Sequence, residues 1–261
     1  MQRRMRLIVA VMVLGALSSS LFAQRGFRRG YAPAPDQPLV GEPKEWTFAR
    51  LAYDGDGGFR GGSRWAVDYP RAEYHLSQAV ERLTRIDVHS DGHIVSPNSD
   101  DLFDYPWLYA VEVGSWGFTD PQATRMREYL LRGGFLMVDD FHGEYEWQIF
   151  MEGMRTIFPD RPIEDVAADD AVYSMPYDIG ERLQVPGPGY MGSGMLYERY
   201  DGVTPHWRGI RDADGRWMVM ISHNIDYGEG WEQADNPAYP EPFTGQAYEV
   251  AVNYLIYGMT H

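Results

Sequence analysis

A run of four apolar residues at positions 135–138 constrains the fold of this chain more than any other feature. A strand that is apolar at every position, instead of at every second one, is typical of a parallel sheet covered by helices on both faces. Gly133 and Gly134 come before the run and end a helical pattern. Asp139 and Asp140 come directly after it. The run therefore predicts a buried central strand that ends at a pair of carboxylates.

Strand and helix patterns alternate on either side of this run. Further strands are predicted at residues 47–53, 86–89, 107–113 and 217–222, and helices at residues 72–84, 120–132, 144–158 and 245–257. Glycines and prolines interrupt the pattern between residues 160 and 215, which predicts an irregular insertion with short strands, one of them at residues 171–173. The alternation predicts βαβ units. We therefore expect an α/β fold with a doubly wound, mostly parallel, flavodoxin-like sheet in the strand order 2-1-3-4-5.

The first 23 residues have the composition of an export signal. Three arginines precede an apolar run at residues 7–17, and small residues follow that run. The apolar run is shorter than the ~20 residues that span a bilayer. We therefore expect a signal peptide at residues 1–23 and a periplasmic or secreted protein. A retained membrane anchor is the alternative, and it is the one case in which a membrane would be a partner.

The rest of the composition bounds the domain and its partners. Residues 24–45 are rich in Pro, Gly and Arg and predict a flexible lead-in, which leaves a single α/β domain at residues 46–261. The chain has no cysteine, which excludes both a disulfide framework and a thiol nucleophile. Its net charge of −15 argues against nucleic acid as a partner, because phosphate backbones repel an acidic surface.

Polar residues follow the predicted strands, and they mark the candidate binding site. In open α/β sheets, ligands bind outside the carboxyl ends of the strands. Buried carboxylates without partners are costly, so acids at strand ends should face a cleft or solvent. The candidate ligand-binding residues on this argument are Asp54, Gly55, Gly57, Ser115, Trp116, His142, Tyr177, Asp178, Asn224 and Asp226.

Asp139, Asp140 and His223 are the candidate catalytic residues. One of the two carboxylates could orient a ligand hydroxyl, bind a hard cation or act as a general base. Adjacent residues on a strand point to opposite faces, so both share a site only if the strand has already turned. The structural alternative is that one aspartate caps the helix that begins near Glu144.

No metal or cofactor is predicted. His142 and His223 have no standard metal-ligand spacing. The glycine-rich loop that begins at Asp54 resembles the opening of a calcium loop, but its twelfth position is Trp65 instead of Glu. The same glycines do not form the dinucleotide-binding pattern. Trp65, Trp116 and Trp231 lie in predicted loops and could stack against sugars, whereas the structural alternative places them in the core.

Five segments of the chain resemble the domain of unknown function 4159 family. They lie at residues 48–57, 102–109, 130–140, 172–179 and 221–232. The family is similar to the class I glutamine amidotransferase-like superfamily, including its trehalose-utilisation branch, which implies a flavodoxin-like sheet. Amidotransferases carry a cysteine at the turn after a central strand. This chain has residues 139–142 there and no cysteine, so the resemblance does not imply amidotransferase activity.

Three functions remain open from the sequence, which does not decide whether the chain is an enzyme. The leading hypothesis is an exported ligand-binding or accessory envelope module that takes a small molecule, a glycan or an envelope protein. Its acidic cleft would be formed by Asp54, Asp139, Asp140, Asp178, His223 and Asp226. The first alternative is a hydrolase of glycans or esters, with Asp139 or Asp140 as base and His223 as its partner. The second is a structural module of an envelope complex.

Overall fold

The computed structural model describes residues 41–55 and 64–261, so the predicted signal peptide and residues 24–40 of the lead-in lie outside the described residues. The strands are β1 (Ala49–Leu51), β2 (Asp54–Gly55), β3 (His93–Val95), β4 (Trp107–Val111), β5 (Trp116–Gly117), β6 (Phe135–Asp139), β7 (Glu164–Asp165), β8 (His206–Arg211) and β9 (Trp217–His223). The helices are α1 (Arg71–Leu83), α2 (Asp120–Leu131), α3 (Gly143–Ile157), α4 (Tyr190–Ser193), α5 (Tyr227–Glu232) and α6 (Glu241–Thr260).

The central sheet has seven strands in the order β3-β1-β4-β6-β9-β8-β7. The first five are parallel, and along the chain they follow the order 2-1-3-4-5, which confirms the predicted topology. The last two strands extend the sheet in the antiparallel direction. A separate antiparallel pair joins β2 to β5. The fold is therefore α/β with a mostly parallel sheet, as the alternation of patterns predicts.

Helices cover both faces of this sheet, which explains the continuous apolar run of β6. All five residues of β6 are buried. Phe135 and Met137 belong to the core cluster that includes Leu76 of α1 and Val250 of α6. Because side chains alternate along a strand, Leu136 and Val138 face the other way. The helices α2 and α3 contact each other and supply further buried side chains, which identifies them as the second layer.

The helix α2 shows why its ends could be predicted from sequence. Thr119 and Gln122 form a capping box, and a proline lies in the first turn. The backbone of Gly133, just after the helix, has a φ of 110°. That conformation is costly for a residue with a Cβ atom, so glycine ends the helix here.

Two local predictions are wrong, and one strand lies where the sequence indicated only an irregular insertion with short strands. Residues 86–89 form no strand except for one bridge between Val88 and Trp46, and β3 occupies the second position of the sheet instead. Ala171–Tyr173 is a 3₁₀ turn. The strand β8 was not predicted, because its sequence contains two arginines, a histidine and a glycine. Pairing with the fully buried β9 decides its conformation.

Among the described residues, no helix combines the length and the apolar character needed to cross a membrane.

Candidate functional site

Carboxylates from separate segments converge at the carboxyl ends of β6 and β9. One carboxylate oxygen from each of Asp68, Asp140 and Asp226 lies within 4.8 Å of the other two. The same limit holds for Asp68, Glu229 and Glu232. These five residues are called the carboxylate cluster below. Asp68 belongs to both groups and links them.

Two residues in the left-handed conformation shape this end of the sheet. Asp140 has a φ of 51° and Asn224 a φ of 64°. The Asp140 N–H donates to Ile225 O over 2.8 Å, and the Asn224 N–H donates to Phe141 O over 3.0 Å. The Asn224 side-chain oxygen also accepts from the Gly143 N–H at 2.8 Å, which ties the start of α3 to the end of β9. The turn after β6 therefore has a fixed direction.

Asp139 and Asp140 have different surroundings, as expected for neighbours on a strand. Asp139 Oδ2 accepts hydrogen bonds from the N–H groups of Tyr227 (2.8 Å) and Gly228 (3.2 Å). Asp139 therefore caps α5, whereas the capping alternative considered from sequence involved the helix at Glu144. The first two N–H groups of that helix, α3, are bound by Asn224 Oδ1 and Asp201 Oδ2. Glu146, inside α3, accepts from the His142 N–H at 2.6 Å.

Asp140 is the point where the carboxylate cluster meets a histidine. His142 Nε2 lies 3.1 Å from Asp140 Oδ1, and both side chains are buried. Glu198 approaches from the insertion, and one of its oxygens lies within 4.8 Å of ligand atoms of Asp140 and His142. Glu198 itself is exposed. The cluster is therefore buried where it meets β6, and the exposed carboxylate of Glu198 lies next to it on the side of the insertion.

Local backbone structure fixes the other members of the cluster. Asp226 is the N-cap of α5, and its Oδ1 accepts from the Glu229 N–H at 2.7 Å. Glu229 lies in the first turn of that helix and is 1% exposed. Asp68 has a φ of 63° and precedes α1, whose Ala72 N–H donates to Asp68 O.

Burial and mutual repulsion raise the pKa values of these acids. Burial is the larger cause for Asp68, Asp140 and Asp226, whose pKa values lie well above the usual range. Burial and the neighbouring Asp68 raise the pKa of Glu229 to about 9. Burial also raises the pKa of Asp139 to about 7, although its two backbone donors oppose that rise. Each of these groups resists ionisation in its present surroundings.

Two oxygens of the cluster are buried without a hydrogen-bond partner, namely Asp68 Oδ2 and Glu229 Oε1. Gly228 leaves the space beside the Asp68 oxygen free of side-chain atoms. A Cβ atom on Gly228 would contact Asp68 Oδ2 and would lie 2.6 Å from the Tyr109 hydroxyl. An unsatisfied buried oxygen costs about 1–3 kcal/mol. The cluster therefore presents acceptors that nothing in the described chain satisfies.

A buried cation lies near the cluster but is engaged elsewhere. Arg50 is fully buried, forms an ion pair with Glu73, and donates to Trp65 O and Val67 O. Its charge lowers the pKa of Asp68 only as a secondary effect. Arg50 therefore neutralises Glu73, and the cluster keeps its excess of carboxylates.

His223 does not form the pair with Asp139 or Asp140 that the hydrolase hypothesis requires. Its Nε2 lies 3.1 Å from Gly143 O, and its ring stacks on Phe141 and packs at a tilt against Trp147. Within the described residues, no hydrogen bond joins His223 to either aspartate. Burial lowers the pKa of His223 to about 4, so the ring is neutral near pH 7. The imidazole that meets Asp140 is His142.

Some of the other predicted residues lie near the turn after β4. Asp54 is exposed and accepts from Gln122 at 2.7 Å, while Gly55 pairs with Trp116 in the small sheet. Ser115 Oγ donates to Glu112 O. Gly57 lies outside the described residues. None of the four predicted residues that the structure describes here belongs to the carboxylate cluster. They are Asp54, Gly55, Ser115 and Trp116.

Tyr177 and Asp178 lie away from the cluster. The backbone of Tyr177 exchanges two hydrogen bonds with the side chain of Asn253 in α6. The next residue of that helix, Tyr254, packs against Phe135 at the start of β6, so this segment lies toward the amino end of the sheet. Asp178 is exposed. These two residues therefore flank the opposite end of the domain core.

The tryptophans considered for sugar stacking are core residues. Trp65, Trp116 and Trp231 are 8%, 4% and 0% exposed. Trp116 stacks on Phe150 and donates to its carbonyl oxygen. Rings this buried offer no face to a glycan.

Two surface cavities lie elsewhere. One, of about 360 Å³, is lined by residues of α3, β7 and β8, and the other, of about 380 Å³, by residues of the segment 234–244. No residue of the carboxylate cluster lines either of them. These two cavities therefore do not include the carboxylate cluster.

Sequence reasoning missed Asp68, Glu229, Glu232 and Glu198. Glu229 and Glu232 do lie in the resembling segment 221–232, three residues apart, which places them on one helical face. Asp68 and Glu198 had no such signal, since both lie in irregular segments.

Comparison with known families gives one result. The sequence profile described as "Domain of unknown function (DUF4159)" matches residues 47–259. No curated protein matches the chain.

Proposed function

Because this chain belongs to the DUF4159 family, whose description assigns no reaction, we propose a function from its own site: an exported binding module that holds a small, positively charged ligand in the carboxylate cluster. The single observation that carries this proposal is the convergence of Asp68, Asp140 and Asp226 within 4.8 Å.

Electrostatics favour a positively charged ligand. Two carboxylate charges within 4.8 Å of each other repel by at least about 3.5 kcal/mol at an effective dielectric constant of 20. Without a cation, the cluster lowers this energy only by keeping protons, as its raised pKa values indicate. A bound positive charge converts the repulsion into attraction. It also supplies a partner for the unsatisfied oxygens of Asp68 and Glu229.

Burial favours a small ligand. Asp140 is 5% and Asp226 2% exposed, so a ligand must reach them through the partly exposed side of the cluster. A sugar ring needs more room and an aromatic platform, and the candidate tryptophans are buried. The site therefore fits an inorganic cation or a single ammonium group better than a glycan.

Export is part of the same proposal and rests on the sequence. Residues 1–23 have the order of basic, apolar and small residues that secretion signals have. The expected result is a mature chain that begins after residue 23 and is recovered from the periplasm or the medium of its native host. Mass spectrometry of the N-terminus in fractionated cells measures this. An intact N-terminus on protein from the cytoplasmic fraction would overturn this part.

A thermal-shift panel tests the ligand. Wild-type protein at pH 8 is mixed with inorganic cations, small amines and neutral sugars, and the Tm is recorded. We expect cations or amines, but not sugars, to raise the Tm by several degrees, and Asp226→Asn to remove the effect. The substitution keeps an acceptor for the Glu229 N–H. Asp169→Asn, at an exposed position outside the cluster, is the matched control.

The panel also separates the alternatives. If no positively charged compound shifts the Tm, or if Asp226→Asn shifts as much as wild type, the binding proposal fails. In that case the hydrolase and the structural module remain as the alternatives.

The hydrolase alternative depends on Asp140 and His142, instead of on an aspartate paired with His223. Asp140 Oδ1 and His142 Nε2 lie 3.1 Å apart in a buried place, within the distance that general base catalysis requires. A panel of chromogenic esters and glycosides tests it. Turnover that His142→Gln abolishes and His223→Gln leaves intact would favour this function, whereas no turnover on any substrate would remove it.

A further inference from the structure

We propose that Asp68, Asp140 and Asp226 bind one divalent metal ion. This inference rests on the proposed function of the carboxylate cluster and names its ligand. Metal-bound oxygens lie 2.0–2.6 Å from Mg²⁺ or Ca²⁺, so ligands on opposite sides of one ion are at most about 5 Å apart. The three carboxylate oxygens, each within 4.8 Å of the others, satisfy that limit.

A second observation points to a ligand independently of the acid count. Glu229 is 1% exposed and its Oε1 has no hydrogen-bond partner. Asp68 belongs both to the proposed site and to the group that contains Glu229, and its Oδ2 is also buried without a partner. Buried polar atoms are nearly always satisfied, so unpartnered atoms at one place indicate a missing ion or water. The Asp68 oxygen lies next to the position that a Cβ atom of Gly228 would fill.

Two of the three aspartates are held before any ion binds. Asp140 follows β6 in a left-handed conformation that its hydrogen bond to Ile225 O fixes. Asp226 uses Oδ1 to cap α5, which leaves its Oδ2 for another partner. Gly187 has no side chain at this point, where a Cβ atom would lie 3.0 Å from Asp226 Oδ2 and would contact Glu198 Oε1. A site held in this way loses little conformational entropy when it binds an ion.

The donor set selects the class of ion. Carboxylate oxygens without sulfur are hard ligands, which suit Mg²⁺, Ca²⁺ and Mn²⁺. The chain has no cysteine to favour a softer ion. His142 lies beside Asp140 and forms a neighbouring group with Glu198.

An organic cation would fit the carboxylate cluster less well than a metal ion. An ammonium group donates hydrogen bonds along a few directions and carries a carbon chain that needs space. The cluster aspartates at β6 and β9 are almost fully buried, and the cavities of 360 and 380 Å³ lie away from them. A bare ion needs only the space between the oxygens.

The test uses the full chain, stripped with a chelator and dialysed. Isothermal titration with MnCl₂, CaCl₂ and MgCl₂ at pH 8 measures affinity and stoichiometry, and the Mn²⁺ electron paramagnetic resonance spectrum reports the bound ion. We expect one equivalent of at least one ion to bind with a Kd below 1 mM. Asp140→Asn and Asp226→Asn should each weaken binding at least tenfold, while Asp169→Asn should bind as wild type does.

Each outcome decides one of the two proposals. If none of the three ions binds below 1 mM, or if both cluster variants bind as wild type does, the metal site is wrong. If the ions fail but an amine still raises the Tm through Asp226, the binding module stands and only the metal inference falls. Circular dichroism and the Tm of each variant show that it is folded, and two separate variants guard against misfolding of one.

Discussion

Asp140 and Asn224 lie in matching left-handed conformations at the carboxyl ends of the neighbouring strands β6 and β9, with φ values of 51° and 64°. Each donates its N–H across the gap to the segment that follows the other strand. This conformation costs about 1–2 kcal/mol for most residues with a Cβ atom, and Asp and Asn tolerate it better than the others. The backbone is therefore held in a less favourable conformation at the point where a carboxylate enters the cluster, as is common at functional sites.

Asp140→Gly should be more stable than Asp140→Ala by about 1 kcal/mol, because glycine adopts a positive φ without a steric cost. Both variants should lose cation binding. Urea unfolding at pH 8 measures the free energy of unfolding, and the thermal-shift panel measures binding. An alanine variant as stable as the glycine variant would show that the backbone here carries no strain.

Asn224→Ala should lower the free energy of unfolding by about 2 kcal/mol. The substitution removes the acceptor of the Gly143 N–H and the donor to Thr204 O. The alanine must still adopt the left-handed conformation of this position. Asn98→Ala, at an exposed position, should change stability by less than about 0.5 kcal/mol. Equal effects of the two substitutions in urea unfolding would contradict the role given to Asn224.

Asp139→Ala should cost about 2 kcal/mol, because it leaves the N–H groups of Tyr227 and Gly228 buried without an acceptor. Asp139→Asn keeps one oxygen acceptor of the same size and should cost less than half as much. Amide hydrogen exchange at the first turn of α5 should speed up in the alanine variant only. If exchange at that turn is unchanged, Asp139 does not cap the helix.

Stability should fall as the pH rises from about 6.5 to about 9. Burial and the facing Asp68 and Glu232 raise the pKa of Glu229 from 4.5 to about 9, so the folded chain holds a proton that the unfolded chain has released. The pKa of Asp139, raised to about 7, acts in the same direction at the lower end of this window.

His223 has the opposite effect on the free energy of unfolding, and it acts only at lower pH. Its pKa falls from 6.5 to about 4 in the folded chain, so stability from this group is lost as the pH falls from about 6.5 to about 4. One proton per chain corresponds to about 1.4 kcal/mol per pH unit. In buffer with a chelator, Glu229→Gln should therefore flatten the decline of the unfolding free energy above pH 6.5. An unchanged slope would show that Glu229 is already ionised at pH 6.5.

The architecture followed from the sequence because it depends on local burial. An apolar run at every position requires cover on both faces, so residues 135–138 alone indicate a central parallel strand. The alternation of strands and helices predicted parallel βαβ units, for which we expected the order 2-1-3-4-5, and the sheet has that order. The same pattern did not locate β8, because its polar sequence becomes a strand only through pairing with β9.

The sequence by itself determined that carboxylates stand at the strand ends, and Asp139, Asp140 and Asp226 are there. Only the tertiary structure decided which of them meet. Asp139 turns to the N-terminus of α5 and becomes a cap, while Asp140 turns into the cluster. Asp68 and Glu229 join it from a turn before α1 and from a six-residue helix. The reason is physical: hydrophobic periodicity records how deeply a residue is buried, whereas the direction of a side chain depends on backbone angles and long-range hydrogen bonds that no local pattern contains.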